Sequence, residues 1–389
     1  MWFFSDEHKM LQETVRQFSL AQLLPKISKL DEEEGFNRDA FYEMGRLGVL
    51  GVLVAEKDGG SGLDSVAATI VCEELGAVDA STALSFLAHT ILCLHQISSY
   101  CDSSQKQKYI PKLLSGQWIG GMGLTEPGSG SDALGMKTKA KQEGNYYIIN
   151  GSKTFITNGP VGDIFYIYAK TGDQKNNVST FIIEKGFEGF ETGKKFSKMG
   201  MRASPTGELV FSNCKVPLAN RVDEENQSVK HMMKNLDIER ITISGISLGI
   251  ARSAIEIATQ YAKDRKQFNK PIGSFQQIQE RLTEASAWYE ACRALTYTAA
   301  KMWDLGLEKG KEITKEASAM AAKAKLQSGQ MATQVALDAI QILGGYGYTR
   351  EFPVERYMRD AKLMEIGAGT NEVLRLIIAR HMLGDIANA

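Results

Sequence analysis

The sequence predicts an α+β protein in three blocks: an N-terminal helical domain (1–118), a middle antiparallel β domain (119–225) and a C-terminal helical bundle (226–389). Three observations carry the prediction. Apolar residues in the first and last blocks recur near helical spacing. The middle block changes to short β-branched and aromatic runs between Gly, Asn and Asp turns. Those strands do not alternate with long helices, which disfavours a parallel dinucleotide-binding sheet.

In the first block Phe18, Leu20, Leu23 and Leu24 sit near helical spacing. Asp79-Ala-Ser-Thr82 opens a segment whose Leu84, Leu87, Ala88, Ile91 and Leu92 form a helical stripe. Gly59-Gly-Ser-Gly62 between these segments reads as a turn. In the middle block the strand runs are Tyr146–Gly151, Ile164–Tyr168, Ser179–Ile183 and Glu208–Phe211, and Asn150-Gly151 is a hairpin signal. In the last block Pro271 separates two long helical segments, and Pro353 follows a glycine cluster at 344–347. No solenoid repeat is evident.

Composition narrows the function classes. At 389 residues, 43% hydrophobic and 23% charged, the chain has enough apolar material for a large core. A net charge of −1 without blocks of one sign gives no reason to expect nucleic acid. Five irregularly spaced cysteines without a CxxC pair indicate reduced thiols, with neither a disulfide framework nor a zinc site. Five scattered histidines offer no metal cluster, and no HExxH, P-loop or nucleophile elbow is present. The apolar runs fall short of the roughly 20 residues of a membrane span. The N-terminus lacks the features of a secretory signal or a transit peptide. The expected compartment is therefore the bacterial cytoplasm, or the mitochondrial matrix if the chain is a processed form.

Five segments carry chemistry, and each has a bland reading beside the functional one. Leu124-Thr-Glu-Pro-Gly-Ser-Gly-Ser-Asp132 offers backbone N–H groups and hydroxyls to a phosphate or a ring edge, but by composition it is first a surface turn. In Asn150–Gly159, Phe155 and Thr157 alternate with Ile156 and share a face that suits a flat heterocycle; a core Phe beside a strand Thr is the plainer reading. Arg265-Lys-Gln-Phe268 with Phe275-Gln276 offers a guanidinium to a phosphate, or is a solvated helix end. Gln341-Ile-Leu-Gly-Gly-Tyr-Gly-Tyr348 follows a helix rather than a strand, so it reads as a helix C-cap. In Leu236-Asp-Ile-Glu-Arg240, Glu239 shares one arc with Met232, Leu236, Ile243 and Ile246. A carboxylate in an apolar stripe is either a structural ion pair or a base with a raised pKa.

Taken together, in this order and at about these spacings, the segments resemble the acyl-CoA dehydrogenases nearly end to end. Thr125–Asp132 resembles the family's flavin loop. Phe155-Ile-Thr157 resembles its Trp-Ile-Thr strand with Phe in place of Trp. Lys198-Met-Gly-Met-Arg202 through Thr206, Glu208 and Phe211 matches a further signature. Arg265, Phe268 and Gln276 resemble the clamp on the adenosine diphosphate, and Gln341 to Gly345 the segment that reaches a neighbouring subunit's FAD. The resemblance implies an acyl-CoA dehydrogenase-like fold ending in a four-helix bundle, and a homotetramer built as a dimer of dimers. It also implies an FAD cofactor, an acyl-CoA substrate and electron-transferring flavoprotein as acceptor.

Many members carry their base as the Glu of Tyr-Glu-Gly-Thr. Here Glu365-Ile-Gly-Ala-Gly-Thr370 puts Ala368 at that position. The isovaleryl-CoA dehydrogenases place the base in a helical Asp-Leu-Glu-Arg motif, which here reads Asp237-Ile-Glu-Arg240. Long-chain members share that arrangement and stay in competition, as do acyl-CoA oxidases and a catalytically retired relative. The resemblance thus makes Glu239 the catalytic base. Met122, Leu124, Thr125, Ser131, Phe155, Ile156, Thr157, Arg265, Phe268, Gln276, Gln341, Gly344, Gly345, Thr370, Asn371 and Glu372 become the cofactor contacts. Ser131, Asp237, Arg240, Ala368 and Gly369 line the substrate path.

Overall fold

A computed structural model describes residues 1, 3–308, 314–384 and 386; the third predicted block runs to residue 389, beyond them. The first block is helical. It holds α1 (Asp6–Phe18), α2 (Ile27–Glu33), α3 (Arg38–Arg46), α4 (Ser65–Val78), α5 (Ala80–His89), α6 (His95–Tyr100) and α7 (Ser103–Leu114). Local chemistry sets the starts. Ser5 and His8 form a capping box on α1. Asp64 caps α4, and Asp79 caps α5 by accepting from the N–H groups of Ser81 and Thr82.

The middle block is one mixed sheet. Its strands are β1 (Gly120–Gly123), β2 (Lys139–Glu143), β3 (Tyr146–Thr157), β4 (Ile164–Lys170), β5 (Val178–Glu184), β6 (Phe190–Lys195), β7 (Thr206–Pro217) and β8 (Arg221–Val222). The order is β6-β7-β3-β2-β4-β5-β8, with β1 paired to β4. Most pairings are antiparallel as expected. Two are not: β1 and β2 each run parallel to β4. Four strands lay outside the predicted runs: β1 and β8 are short, and β2 and β6 are polar and largely exposed.

The expected hairpin at Asn150-Gly151 is corrected. The chain continues through it as β3, and the register with β7 slips there as a bulge. Gly151 has φ +142°, and a Cβ on it would lie 2.5 Å from Thr138 Oγ1, so Gly serves close approach rather than reversal. The actual turn between β2 and β3 is at Gly144-Asn145.

The last block holds α8 (Ser228–Asp264), α9 (Gln276–Glu308), α10 (Lys315–Leu343), α11 (Val354–Ala361) and α12 (Asn371–Leu383). Between α8 and α9 the chain makes a small hairpin, β9 (Lys266–Gln267) with β10 (Lys270–Pro271). Helix α8 is the axis of the molecule, packed against α4, α9 and α10. Every residue from 237 to 251 is buried, so the single apolar stripe expected on this helix is really a helix enclosed on all sides. Small residues permit that closeness: a Cβ on Gly249 would lie 2.3 Å from the Glu73 carbonyl of α4. The membrane reading also changes. The continuous helices Ala80–Tyr100 and Ser228–Asp264 are long and apolar enough to cross a bilayer, but 94% and 72% of their apolar windows are buried in the protein. All five cysteines are buried and free.

Candidate active site

Glu239 lies near the middle of α8, where the helix is enclosed, and is 8% exposed. No hydrogen bond reaches its carboxylate from the described residues. Burial pushes its pKa up to about 7, against the opposing pull of Arg240 and Lys325. The neighbouring charges are engaged elsewhere. Arg240 donates to Asp237 at 2.6 Å. Asp237 also accepts from the Ser318 hydroxyl of α10. The structural ion pair on this helix is therefore Asp237–Arg240, and Glu239 is left outside it.

The segment Leu363–Thr370 closes on this part of α8. Ile366 and Gly367 both donate to the Leu363 carbonyl, which ends a short 3₁₀ turn at Lys362–Glu365. Ala368 then takes φ +55° and Gly369 φ +91°. A methyl on Gly369 would lie 3.9 Å from Arg240 Nη2, so the turn rests on the guanidinium beside Glu239. Lys325 of α10, 1% exposed, donates to the Gly369 carbonyl at 2.7 Å. Among the described residues the Ala368 N–H has no acceptor. Glu365 is committed to Asn371 Nδ2, at 3.1 Å, and to Lys362. It is thus tied into the turn, three residues before Ala368.

The loop 124–132 is built rigidly from behind. Glu126 and Ser129 exchange backbone hydrogen bonds across a turn. Lys153 of β3, fully buried, donates to the Leu124 carbonyl at 3.2 Å and to Glu126 at 2.8 Å. The same carboxylate accepts from the N–H groups of Lys137 and Thr138. Thr154 N–H donates to the Thr125 carbonyl at 2.9 Å, laying the loop along β3. The outward side is left for a ligand: the hydroxyls of Thr125 and Thr157 make no hydrogen bond among the described residues. Ile156 is buried, while Phe155 is 65% exposed and stacks on Phe196 with ring centroids 5.0 Å apart. Phe155 has φ +57° at a second register slip, so the expected alternation holds around a bulge. One such hydroxyl on the braced loop and one on β3 beside an exposed aromatic fit the edge and face of a flavin.

The other expected cofactor residues lie elsewhere. Arg265 follows Glu239 by 26 residues, about 39 Å along a straight helix. It lines a 440 Å³ cavity with Gly344, Gly345, Tyr261 and Tyr346. Gly344 caps α10 with φ +61°, and nothing within 4 Å would meet a Cβ on it or on Gly345. Phe268 stands 88% exposed at the tip of the β9–β10 hairpin, and Gln276 and Gln341 are exposed nearby on α9 and α10. Thr370 caps α12, Asn371 is buried against Glu365, and Glu372 is exposed. Ser131 is exposed on the loop, without a hydrogen bond to Asp237 or Arg240.

Four contributors were missed in the sequence. Lys153 and Glu126 belong to motifs already singled out, but nothing in their spacing says that they pair. Lys325 follows Lys323 in an Ala-rich helical run, and only packing tells which lysine points inward. Asn235 lies one turn before Glu239 and donates to Met122 Sδ of β1 at 3.2 Å.

Comparison with known proteins finds one family along the whole chain. The acyl-CoA dehydrogenase N-terminal, middle and C-terminal domains match residues 5–117, 121–214 and 227–383. The mitochondrial isovaleryl-CoA dehydrogenase of Pongo abelii is 41% identical over 387 residues, covering 98% of this chain and 90% of that protein. A short-chain-specific acyl-CoA dehydrogenase of Clostridium acetobutylicum is 41% identical over 375 residues, covering 96% and 97%. The structure of butyryl-CoA dehydrogenase from Megasphaera elsdenii superposes with a TM-score of 0.92 at 37% identity, covering 98% and 99%.

Proposed function

The chain belongs to the acyl-CoA dehydrogenase family, and on that premise we propose that it oxidises a short branched-chain acyl-CoA such as isovaleryl-CoA, with Glu239 as the base. It is an FAD-dependent oxidoreductase acting on acyl-CoA thioesters. One observation carries the finer reading: a buried carboxylate without a hydrogen-bond partner among the described residues stands beside a turn whose residue at the alternative base position, Ala368, has only a methyl group.

Bound FAD supplies the acceptor for the hydride that leaves Cβ. The chain's own residues do the rest. The free N–H of Ala368 donates to the thioester carbonyl and makes the Cα proton acidic. Glu239 takes that proton, and a base with a pKa of about 7 is well matched to neutral pH. Asp237 holds Arg240 away from Glu239, so the base is not neutralised by a contact ion pair. The hydroxyls of Thr125 and Thr157 would hold the flavin edge. Arg265 and the backbone at Gly344-Gly345 would hold the pyrophosphate of a partner subunit's FAD, because Arg265 lies about 39 Å along α8 from Glu239. We assign electron-transferring flavoprotein as acceptor and a homotetramer as the assembly on the same family grounds.

A short straight-chain substrate is the second reading, since the short-chain-specific relative is as similar as the isovaleryl one. Ala368 and Gly367 favour the branched substrate by leaving space beside the reacting carbons, although a methyl group decides only ~1–3 kcal/mol. A panel of isovaleryl-, butyryl-, octanoyl- and palmitoyl-CoA with an artificial acceptor separates them. The highest kcat/KM is expected for isovaleryl-CoA; a preference for butyryl- or palmitoyl-CoA overturns the branched-chain reading.

A further inference from the structure

We infer that Lys325 is a positioning residue for catalysis: its ammonium holds the Ala368–Gly369 turn through the Gly369 carbonyl and supplies a buried positive charge that favours the ionised form of Glu239. This rests on Glu239 being the base.

Lys325 is a buried ammonium, 1% exposed, in a helix where a Leu or Met would pack at no electrostatic cost. Burial lowers its pKa to about 8, so the charge is expensive to keep. Its bond to the Gly369 carbonyl at 2.7 Å is the one hydrogen bond the ammonium makes among the described residues. That carbonyl belongs to the second of two consecutive positive-φ residues. Anchoring it fixes the turn from the α10 side, while Thr370 fixes the following residue as the cap of α12. The Ala368 N–H is thereby presented in one direction. Lys325 also acts on Glu239 through the field, at more than ion-pair distance. The groups that act on Glu239 are Arg240 from its own helix, Lys325 from α10 and Tyr168 from β4. Glu365 and Glu372 act on Lys325 from the far side of the turn. Arg240 is paired to Asp237, so among the described residues Lys325 is the cation near Glu239 that no carboxylate neutralises by contact.

The test uses the FAD-loaded enzyme with Lys325→Met, Lys325→Gln and Lys325→Arg, beside Glu239→Gln. Loss of the charge is expected to raise the acid limb of kcat/KM by about one pH unit in both K325M and K325Q, since a nearby cation depresses a carboxyl by that order. K325Q can still donate to Gly369, so kcat at high pH is expected to fall at least tenfold in K325M and less in K325Q. K325R is expected to keep the limb. The melting-temperature difference that E239Q makes, followed against pH with Lys325 present and with K325Q in its place, levels off at a pH that reads the same shift without turnover. If K325M does not fold, K325Q carries the test. If E239Q is inactive while K325M and K325Q leave the limb in place, the positioning inference is overturned and the base assignment stands. If E239Q retains turnover, the base assignment fails, and the inference falls with it.

Discussion

Asn235 and Met122 meet at 3.2 Å, side-chain N–H to sulfur, and this contact joins α8 to the first strand of the β domain. Asn235 is four residues before Glu239, so both lie on one face of the helix. The contact therefore aims Glu239 at the strand expected to lie against the flavin. Glu239→Gln is expected to bind FAD normally and to lose turnover by 10²–10⁴-fold, the usual contribution of a general base. In the parent enzyme kcat/KM should rise with pH to a limb near the folded pKa of about 7. A yellow E239Q protein with near-parental kcat would remove Glu239 from the mechanism.

The same residue predicts an effect on stability. Its folded pKa, about 7, lies above the ordinary 4.5, so the native state holds the proton more tightly than the unfolded chain. Stability from that proton is present at low pH and is lost as pH climbs toward 7. Gln mimics the protonated form. E239Q should therefore be more stable than the parent at pH 8, by up to roughly 3 kcal/mol at ~1.4 kcal/mol per pKa unit. The gain should shrink to under about 1 kcal/mol at pH 5. Denaturant unfolding at the two pH values measures it, and an equal difference at both would contradict the buried, unpartnered carboxylate.

Glu126→Gln leaves Lys153 buried beside a neutral amide. Removing one partner of a buried pair costs about 3–5 kcal/mol, and the loop 124–132 is where the strain is released. The variant should melt lower and lose FAD on gel filtration under conditions where the parent keeps it. Unchanged FAD retention would mean that the loop does not depend on this pair.

Arg265 and Glu239 can be tested for service in different subunits. Arg265→Ala and Glu239→Gln should each be nearly inactive alone. Co-refolded or co-expressed, they should recover activity, because one site of a mixed dimer takes Glu239 and Arg265 from the two chains that retain them. If both residues served the same subunit's site, mixing would recover nothing.

Much of this protein was legible along the chain. Alternating helical and strand cadences mark the three blocks, because periodicity reports which face of an element is buried. The loop at Thr125, the strand at Thr157 and the carboxylate at Glu239 stand in recognisable motifs. Asn150-Gly151 misled, since the same dipeptide serves a tight turn or a bulge, and only the neighbouring Thr138 side chain decides which.

By itself, then, the sequence determined the order of the elements and the residue types available for chemistry, because propensity, periodicity and short motifs are local. Only the tertiary structure decided the state of those residues. It enclosed α8 from 237 to 251, paired Arg240 with Asp237, left Glu239 without a hydrogen-bond partner among the described residues and brought Lys325 to the Gly369 carbonyl from 44 residues away. A carboxylate becomes a base through its desolvation and the charges around it, and both are set by distant elements that close over it.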